Sequence, residues 1–198
     1  MLNNNTTAKL REMKMSAMAR SFDSQLSNTE LSSLSFEERF GLLVDAEYTA
    51  RKNNRLKRLI RSAGYSQPDA ALEDIEYHTD RQLDKSLILR LGSCDYIGRK
   101  HNVIILGATG SGKTYLASAL GLTANRSFMT VKYARLPELL GELAIARVEG
   151  NYRKLMKSYK TVQLLILDEW LLSPLKDTES KELLEIVEAR YKKGSTVF

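Results

Sequence analysis

Covalent cross-links and metal ligands are nearly absent from this sequence. One cysteine, Cys94, stands among 198 residues, so no internal disulfide can form; His78 and His101 stand alone, and no Cys/His cluster has zinc-ligand spacing. Only three prolines and eleven glycines occur, with charges of both signs throughout, which excludes collagen-like, low-complexity and disordered classes. No apolar run approaches the roughly 20 residues needed to span a bilayer. The amino terminus, MLNNNTTAKLREMKM, lacks the apolar stretch of a signal peptide. The expectation is a cytoplasmic protein in a reducing compartment, with no membrane partner.

What is present is enough apolar residue, 43%, to bury a core as one domain or as a domain with an appendage. The formal charge of +6 and a pI near 9.3 favour polyanionic partners, because clustered Lys and Arg release counterions condensed on phosphates. Net charge alone does not decide for nucleic acid; its distribution must.

The first third reads as helical. Leu10, Met13, Ala17 and Phe22 approximate a stripe on a helix expected from about Thr7 to Leu26. Ser35 and Glu38 have capping-box spacing and predict a long helix from there to about Ala63, where Gly64 supplies a left-handed stop. Near its end Leu56, Leu59, Ile60 and Ala63 share one face, while Arg51, Arg55, Lys57, Arg58 and Arg61 fan over the other. No acidic residue lies between Arg51 and Arg61, so these five are the candidate DNA-contacting residues; a partner-protein surface and a solvated face are the competing readings.

From Tyr65 to Asp80 the chain turns acidic and acquires Pro68, as a linker does, and a helix is expected from Arg81 to Leu91. Strand and helix patterns then alternate. Expected are a buried strand over Asn102–Leu106, a helix from Gly112 to about Ala124, a strand Phe128–Tyr133 and a helix Leu136–Val148. A short helix near Tyr152–Ser158, a strand Gln163–Leu167, a helix from about Thr178 to Lys192 and a strand beginning at Thr196 follow. Such alternation implies a parallel, doubly wound α/β sheet. The expected organisation is a helical N-terminal domain over 1–66 for DNA or partner binding, a linker and helix over 67–98, and an α/β core over 99–198.

Gly107-Ala108-Thr109-Gly110-Ser111-Gly112-Lys113-Thr114 fits the phosphate-loop pattern G-x-x-x-x-G-K-[ST] between a buried strand and a helix. The glycines let backbone N–H groups turn around a phosphate, Lys113 reaches the β- and γ-phosphates, and the Thr114 hydroxyl ligates Mg²⁺. The expected nucleotide-binding set runs from Gly107 to Tyr115, with ATP and Mg²⁺ as cofactors. Leu164 to Leu167 form an apolar strand that delivers Asp168 and Glu169 at its carboxyl end, where ligands of parallel sheets bind. Asp168 is expected in the Mg²⁺ shell. Glu169 is the candidate general base, which favours hydrolysis over a small-molecule kinase reaction. Trp170 is read as packing, and Arg190 as a surface or capping residue with a weaker reading as a group reaching a neighbouring nucleotide.

The phosphate loop, Gly150-Asn151-Tyr152-Arg153-Lys154-Leu155, LLILDEW at Leu164 to Trp170, and Arg190-Tyr191-Lys192-Lys193-Gly194-Ser195-Thr196 together resemble the IstB-like ATP-binding proteins of bacterial insertion sequences, relatives of the helicase loader DnaC among the AAA+ ATPases. The resemblance spans nearly the whole chain, and the DEW segment is its most specific part. It implies a P-loop AAA+ type parallel sheet flanked by helices, with a small helical N-terminal domain. It further implies an ATPase that assembles on DNA as a homo-oligomer and recruits a cognate transposase, with Lys113 and Thr114 in the Walker A roles and Asp168 and Glu169 in the Walker B roles. Family members also use a sensor residue and an arginine finger in trans beyond the strand at Thr196. The expectation is therefore a fold incomplete at the C-terminus, with MgATP bound and turnover impaired. The competing readings are a DnaC-like helicase loader and a decayed fragment that binds ATP without turnover.

Overall fold

The structure is a computed structural model and describes residues 2–77 and 83–198. His78, Asp80 and the first two residues of the helix expected from Arg81 lie outside the described residues. Contacts divide the chain into two compact units, Met1–Lys57 and Arg58–Phe198.

The first unit holds α1 (Leu2–Glu12), α2 (Ser16–Ser27), a 3-10 turn (Thr29–Ser33) and most of α3 (Phe36–Ala63). The single helix expected over 7–26 is two helices instead. Lys14 takes a positive φ of 59°, and its amide and that of Met15 bond back to Arg11 and Leu10 carbonyls. Neither Gly nor Pro marks the break; what fixes it is tertiary. Thr7 Oγ1 donates to Asp23 at 2.7 Å, tying α1 to α2. Buried Glu47 of α3 accepts from the Ala17 and Met18 amides at 3.0 and 3.1 Å, satisfying the open N-terminus of α2 from 29 or more residues away. The hydrogen bond from Arg51, with help from those amides, holds the Glu47 carboxyl below its ordinary range against the opposing effect of burial. The start of α3 is as the capping box requires: the Ser35 amide donates to Glu38 at 2.7 Å, and the Glu38 amide to Ser35 Oγ at 3.2 Å.

In the second unit α3 ends at buried Ala63, and Gly64 at φ 76° provides the expected stop. Then come α4 (Lys85–Gly92), capped by Asp84 rather than starting at Arg81, and a short α5 (Asp95–Gly98) that periodicity did not reveal. The remainder alternates: α6 (Lys113–Arg126), β1 (Val131–Arg135), α7 (Leu136–Val148), α8 (Tyr152–Thr161), β2 (Leu164–Asp168), α9 (Asp177–Arg190) and β3 (Ser195–Val197). The strands pair parallel in the order β1-β2-β3. The strand expected over 102–106 is reduced to a bridge between Val103 and Val197, with three ladder bonds to Thr196 and Phe198. Ile104 and Leu106, which alternate with Val103 and Ile105 along it, are exposed.

β2 is the spine of this unit, and its period of two distributes its apolar side chains to both faces. Leu164 and Ile166 pack with Ala117, Ala124 and Val131, while Leu165 and Leu167 pack with Leu139, Leu143, Met156 and Ile186. All four are at most 1% exposed, each contributing about 1.5–3 kcal/mol of transfer free energy as an upper estimate. Gly121 lets α6 approach β2: a Cβ there would stand 2.7 Å from Ile166 Cδ1 and 2.6 Å from the Tyr65 ring. That approach sets the first turn of α6 against the carboxyl end of β2.

Candidate nucleotide-binding site

The loop from Gly107 to Gly112 connects the bridge segment to α6. Gly110 and Gly112 adopt φ of 78° and 87°, which side-chain-bearing residues rarely tolerate. A Cβ on Gly107 would meet Ser111 Oγ at 2.7 Å. These glycines are thus needed by the loop's curvature. Lys113 Nζ donates to the carbonyls of Gly107 and Ala108 at 2.8 and 2.7 Å, so the ammonium sits within the loop it closes. Gly107, Ala108, Thr109, Gly110 and Ser111 are exposed.

Thr114 Oγ1 donates to Asp168 Oδ2 at 2.7 Å and so joins the loop to the end of β2. The same carboxylate oxygen accepts from the Tyr133 hydroxyl at 2.7 Å, and Oδ1 accepts from the Glu169 amide at 2.9 Å. Burial opposes ionisation of Asp168; the hydrogen bonds of Tyr133, Thr114 and the Glu169 amide, with the charge of Arg135, outweigh it and hold the carboxyl below its ordinary value. Burial chiefly raises the Tyr133 hydroxyl, keeping it a neutral donor. Ser66 Oγ donates to the Tyr133 oxygen at 2.9 Å, which completes a short relay.

Glu169 is turned differently. Its φ of 55° swings the chain out of the strand, as does Leu171 at 51°, conformations that cost a non-glycine residue about 1–3 kcal/mol each. The Glu169 carboxylate pairs with Arg135, which also binds Glu138 at 3.1 Å. Arg135 is the register partner of Asp168 on β1, so the sheet itself brings this guanidinium to the carboxyl end of β2. Sequence reasoning missed both Tyr133 and Arg135. Only the β1–β2 register reveals them, and neither residue type nor local spacing encodes that register.

Two clefts meet at the loop. One of about 540 Å³ is lined by Thr109, Gly110, Lys113, Thr114, Asp168 and Glu169. The other, of about 710 Å³, lies between Gly107, Ala108, Ser111 and the segment carrying Gln67, Asp74 and Ile75. Tyr115 borders both, and its hydroxyl is held by Ala71, donating to the carbonyl at 3.3 Å and accepting from the amide at 3.1 Å. The donor set suits MgATP: ring-forming glycines, an ammonium within the loop, and a hydroxyl beside an ionised carboxylate.

Comparison with known proteins bears on the same residues. The family described as IstB-like ATP binding protein matches residues 8–198. The chain belongs to this family. A protein named for ATP binding in insertion sequence IS1162 of Pseudomonas fluorescens is 38% identical over 197 residues, covering 100% of this chain and 85% of that one. Among solved structures, AMPPCP-bound DnaA from Aquifex aeolicus superposes with a TM-score of 0.59 at 22% identity, over 66% of this chain and 41% of that one. The DnaC helicase loader gives 0.56 at 20% identity, over 65% and 75%. The IstB-like chain therefore has an α/β fold of AAA+ type, with a parallel sheet flanked by helices. Among the described residues no helix is long and apolar enough to cross a membrane.

Arg190 and Trp170 find structural places. Arg190 is 2% exposed, neither on the surface nor able to reach a neighbour. Its guanidinium donates to the carbonyls of Tyr159, Val162 and Ser195 and to Thr196 Oγ1, joining the end of α8 to the starts of β2 and β3; burial pushes its pKa down to about 10. Trp170 packs edge-on against Phe198 at 4.5 Å.

The five candidate DNA-contacting residues of α3 are all exposed: Arg51, Arg55 and Lys57 in the first unit, Arg58 and Arg61 in the second. Arg51 is already neutralised by Glu47 at 2.8 Å, one turn outside the acid-free stretch that singled it out.

Proposed function

We propose that this IstB-like protein binds MgATP at the loop from Gly107 to Thr114, hydrolyses it, and acts with DNA and a cognate transposase as the ATP-binding helper of an insertion sequence. The observation that carries the reading is the bond from Thr114 to Asp168, which joins the phosphate loop to an ionised carboxylate at the end of β2. Mg²⁺ bound with ATP supplies charge neutralisation across the β- and γ-phosphates. Thr114 and Asp168 would hold that cation. Backbone amides from Gly107 to Gly112 and the N-terminus of α6 face phosphate charge, and Lys113 exchanges two carbonyl partners for phosphate oxygens. Glu169 takes the proton of an attacking water once it leaves Arg135, and Tyr133 keeps Asp168 oriented as a ligand.

The transposition role rests on family membership, and the DNA role on the exposed Arg55, Lys57, Arg58 and Arg61 with the net charge of +6. Homo-oligomeric assembly on DNA belongs to the same reading. A helicase-loader role rests on the shared fold alone. The test is Glu169→Gln, measured by phosphate release and by nucleotide titration: turnover falls about 100-fold or more while ATP affinity stays within about twofold. Unchanged turnover removes Glu169 as the base; lost binding moves the nucleotide to other residues.

A further inference from the structure

The segment that follows α3 is tied down on both sides of one residue, Gln67. Before it, the Tyr65 hydroxyl donates to Asn125 of α6 at 2.7 Å and Ser66 Oγ donates to the Tyr133 hydroxyl at 2.9 Å. Gln67 itself opens a turn, Gln67-Pro68-Asp69-Ala70, in which the Ala70 amide donates to the Gln67 carbonyl at 3.4 Å. Proline suits the second position of such a turn and holds the residue before it in the extended region. After the turn, Ala70 is 2% exposed and packs with Ala119 and Leu122, while the Tyr115 hydroxyl clamps Ala71 through its amide and its carbonyl. The backbone at Gln67 is therefore held from both directions.

Its side chain is exposed, and among the described residues the Gln67 carboxamide has no hydrogen-bond partner. Gln67 lines both clefts that meet at the phosphate loop, whereas Asp74, Ile75 and Glu76 of the same segment line the larger one alone. The two clefts differ in chemistry. The smaller carries Thr114, Asp168 and Glu169, the groups suited to a cation and a terminal phosphate. The larger, of about 710 Å³, runs from Gly107 and Ser111 to apolar Ile75, Leu83 and Leu116, and its size is that of an ordinary ligand site. A nucleoside triphosphate with its phosphates on the loop has one flat, largely apolar part, the base, that suits this apolar wall. The sugar joins base to phosphates, so it belongs at the junction that Gln67 borders.

We propose that Gln67 reads the sugar of the bound nucleotide, its carboxamide bonding to the hydroxyls of a ribose, and so sets a preference for ribonucleotides over deoxynucleotides. This role rests on the placement of ATP at the loop from Gly107 to Thr114. A carboxamide matches a vicinal diol, since Oε1 accepts from one hydroxyl and Nε2 donates to its neighbour. It is also neutral, so it adds no repulsion next to phosphate charge. Asp74 is the rival group: its exposed carboxylate can accept from hydroxyls, but it lines only the cleft with the apolar wall and carries a charge of the phosphates' own sign. Because the turn and its flanking bonds already hold the Gln67 backbone, binding orders one side chain and no loop. A neutral hydrogen bond at so exposed a position corresponds to a factor of about 3 to 10 in affinity.

The test is calorimetric titration of the whole chain with ATP, 2′-deoxy-ATP and 3′-deoxy-ATP, each with Mg²⁺, for the parent, Gln67→Ala and Asp74→Asn, with circular dichroism as a check on folding. The parent is expected to bind ATP about 3- to 10-fold more tightly than at least one deoxy analogue, and which analogue suffers identifies the hydroxyl that is read. Gln67→Ala is expected to weaken ATP by the same factor, to leave that analogue's affinity unchanged, and so to erase the preference. Asp74→Asn is expected to keep it. Equal affinities of the parent for all three nucleotides overturn the role of Gln67 and leave the ATP site standing. A Gln67→Ala variant that loses the same factor for all three, or a preference erased by Asp74→Asn instead, overturns it too. A parent that binds none of the three removes the ATP site and this role together.

Discussion

Replacing Tyr133 by Phe removes one oxygen and leaves the ring packed against Tyr65 and the core of β2. The lost bond is a 2.7 Å hydroxyl contact to an ionised, half-buried carboxylate, in the class worth about 1.5–3 kcal/mol. Ser66 loses its acceptor too, but it is exposed and rehydrates. Asp168 keeps Thr114 and the Glu169 amide, so the lower half of that range, about 1.5–2 kcal/mol, is expected at pH 7. The pH dependence has a definite sign. The folded-state pKa of Asp168 lies below its unfolded value, so the stability it contributes is present above the unfolded pKa and is lost as pH falls through the folded one. In the variant that depression is smaller. Parent and variant should therefore differ most near neutrality and converge as the pH falls through the folded-state pKa of Asp168. Urea unfolding followed by circular dichroism at several pH values measures it. A difference below about 0.5 kcal/mol at pH 7, or one equally large in acid, refutes the assignment of Tyr133 as the donor that holds Asp168 ionised.

Arg135→Ala releases Glu169 from an exposed, solvent-screened ion pair, so DNA-independent phosphate release should rise about 2- to 5-fold with ATP affinity unchanged; a fall in turnover would give Arg135 a direct role in the reaction. For the basic residues of α3, Arg55→Ala and Arg58→Ala should each reduce the slope of log DNA affinity against log salt by about one, with little change in sequence preference, whereas Arg51→Ala should act mainly through Glu47 on stability. Identical salt slopes for parent and variants would turn this face toward something other than phosphate.

The glycine-rich loop from Gly107 to Thr114 and its link to the end of β2 were legible because their geometry is local. Glycines at positive φ, a lysine and a hydroxyl must follow one another in sequence to build such a loop, and an apolar run ending in Asp-Glu is read by eye. Strand and helix alternation likewise gave the parallel sheet, since Leu164 to Leu167 of β2 are buried on one face or the other and leave an uninterrupted apolar signature. What escaped depends on pieces distant in sequence. Arg135 reaches Glu169 only through strand register, Tyr133 reaches Asp168 the same way, and the break at Lys14 is held by Glu47 across 29 or more residues. Arg190 was misjudged because an arginine late on a helix ordinarily faces water; here backbone carbonyls of α8, of the residue that follows it and of β3 converge on it.

The most direct test of the central claim is calorimetric titration of MgATP into the parent and into Lys113→Ala. Lys113 makes two bonds to loop carbonyls that it would exchange for phosphate oxygens, charge-assisted contacts worth about 1.5–3 kcal/mol each, so the variant should bind at least about 100-fold more weakly while remaining folded. Equal affinities for the two proteins would contradict the placement of ATP at the loop from Gly107 to Thr114.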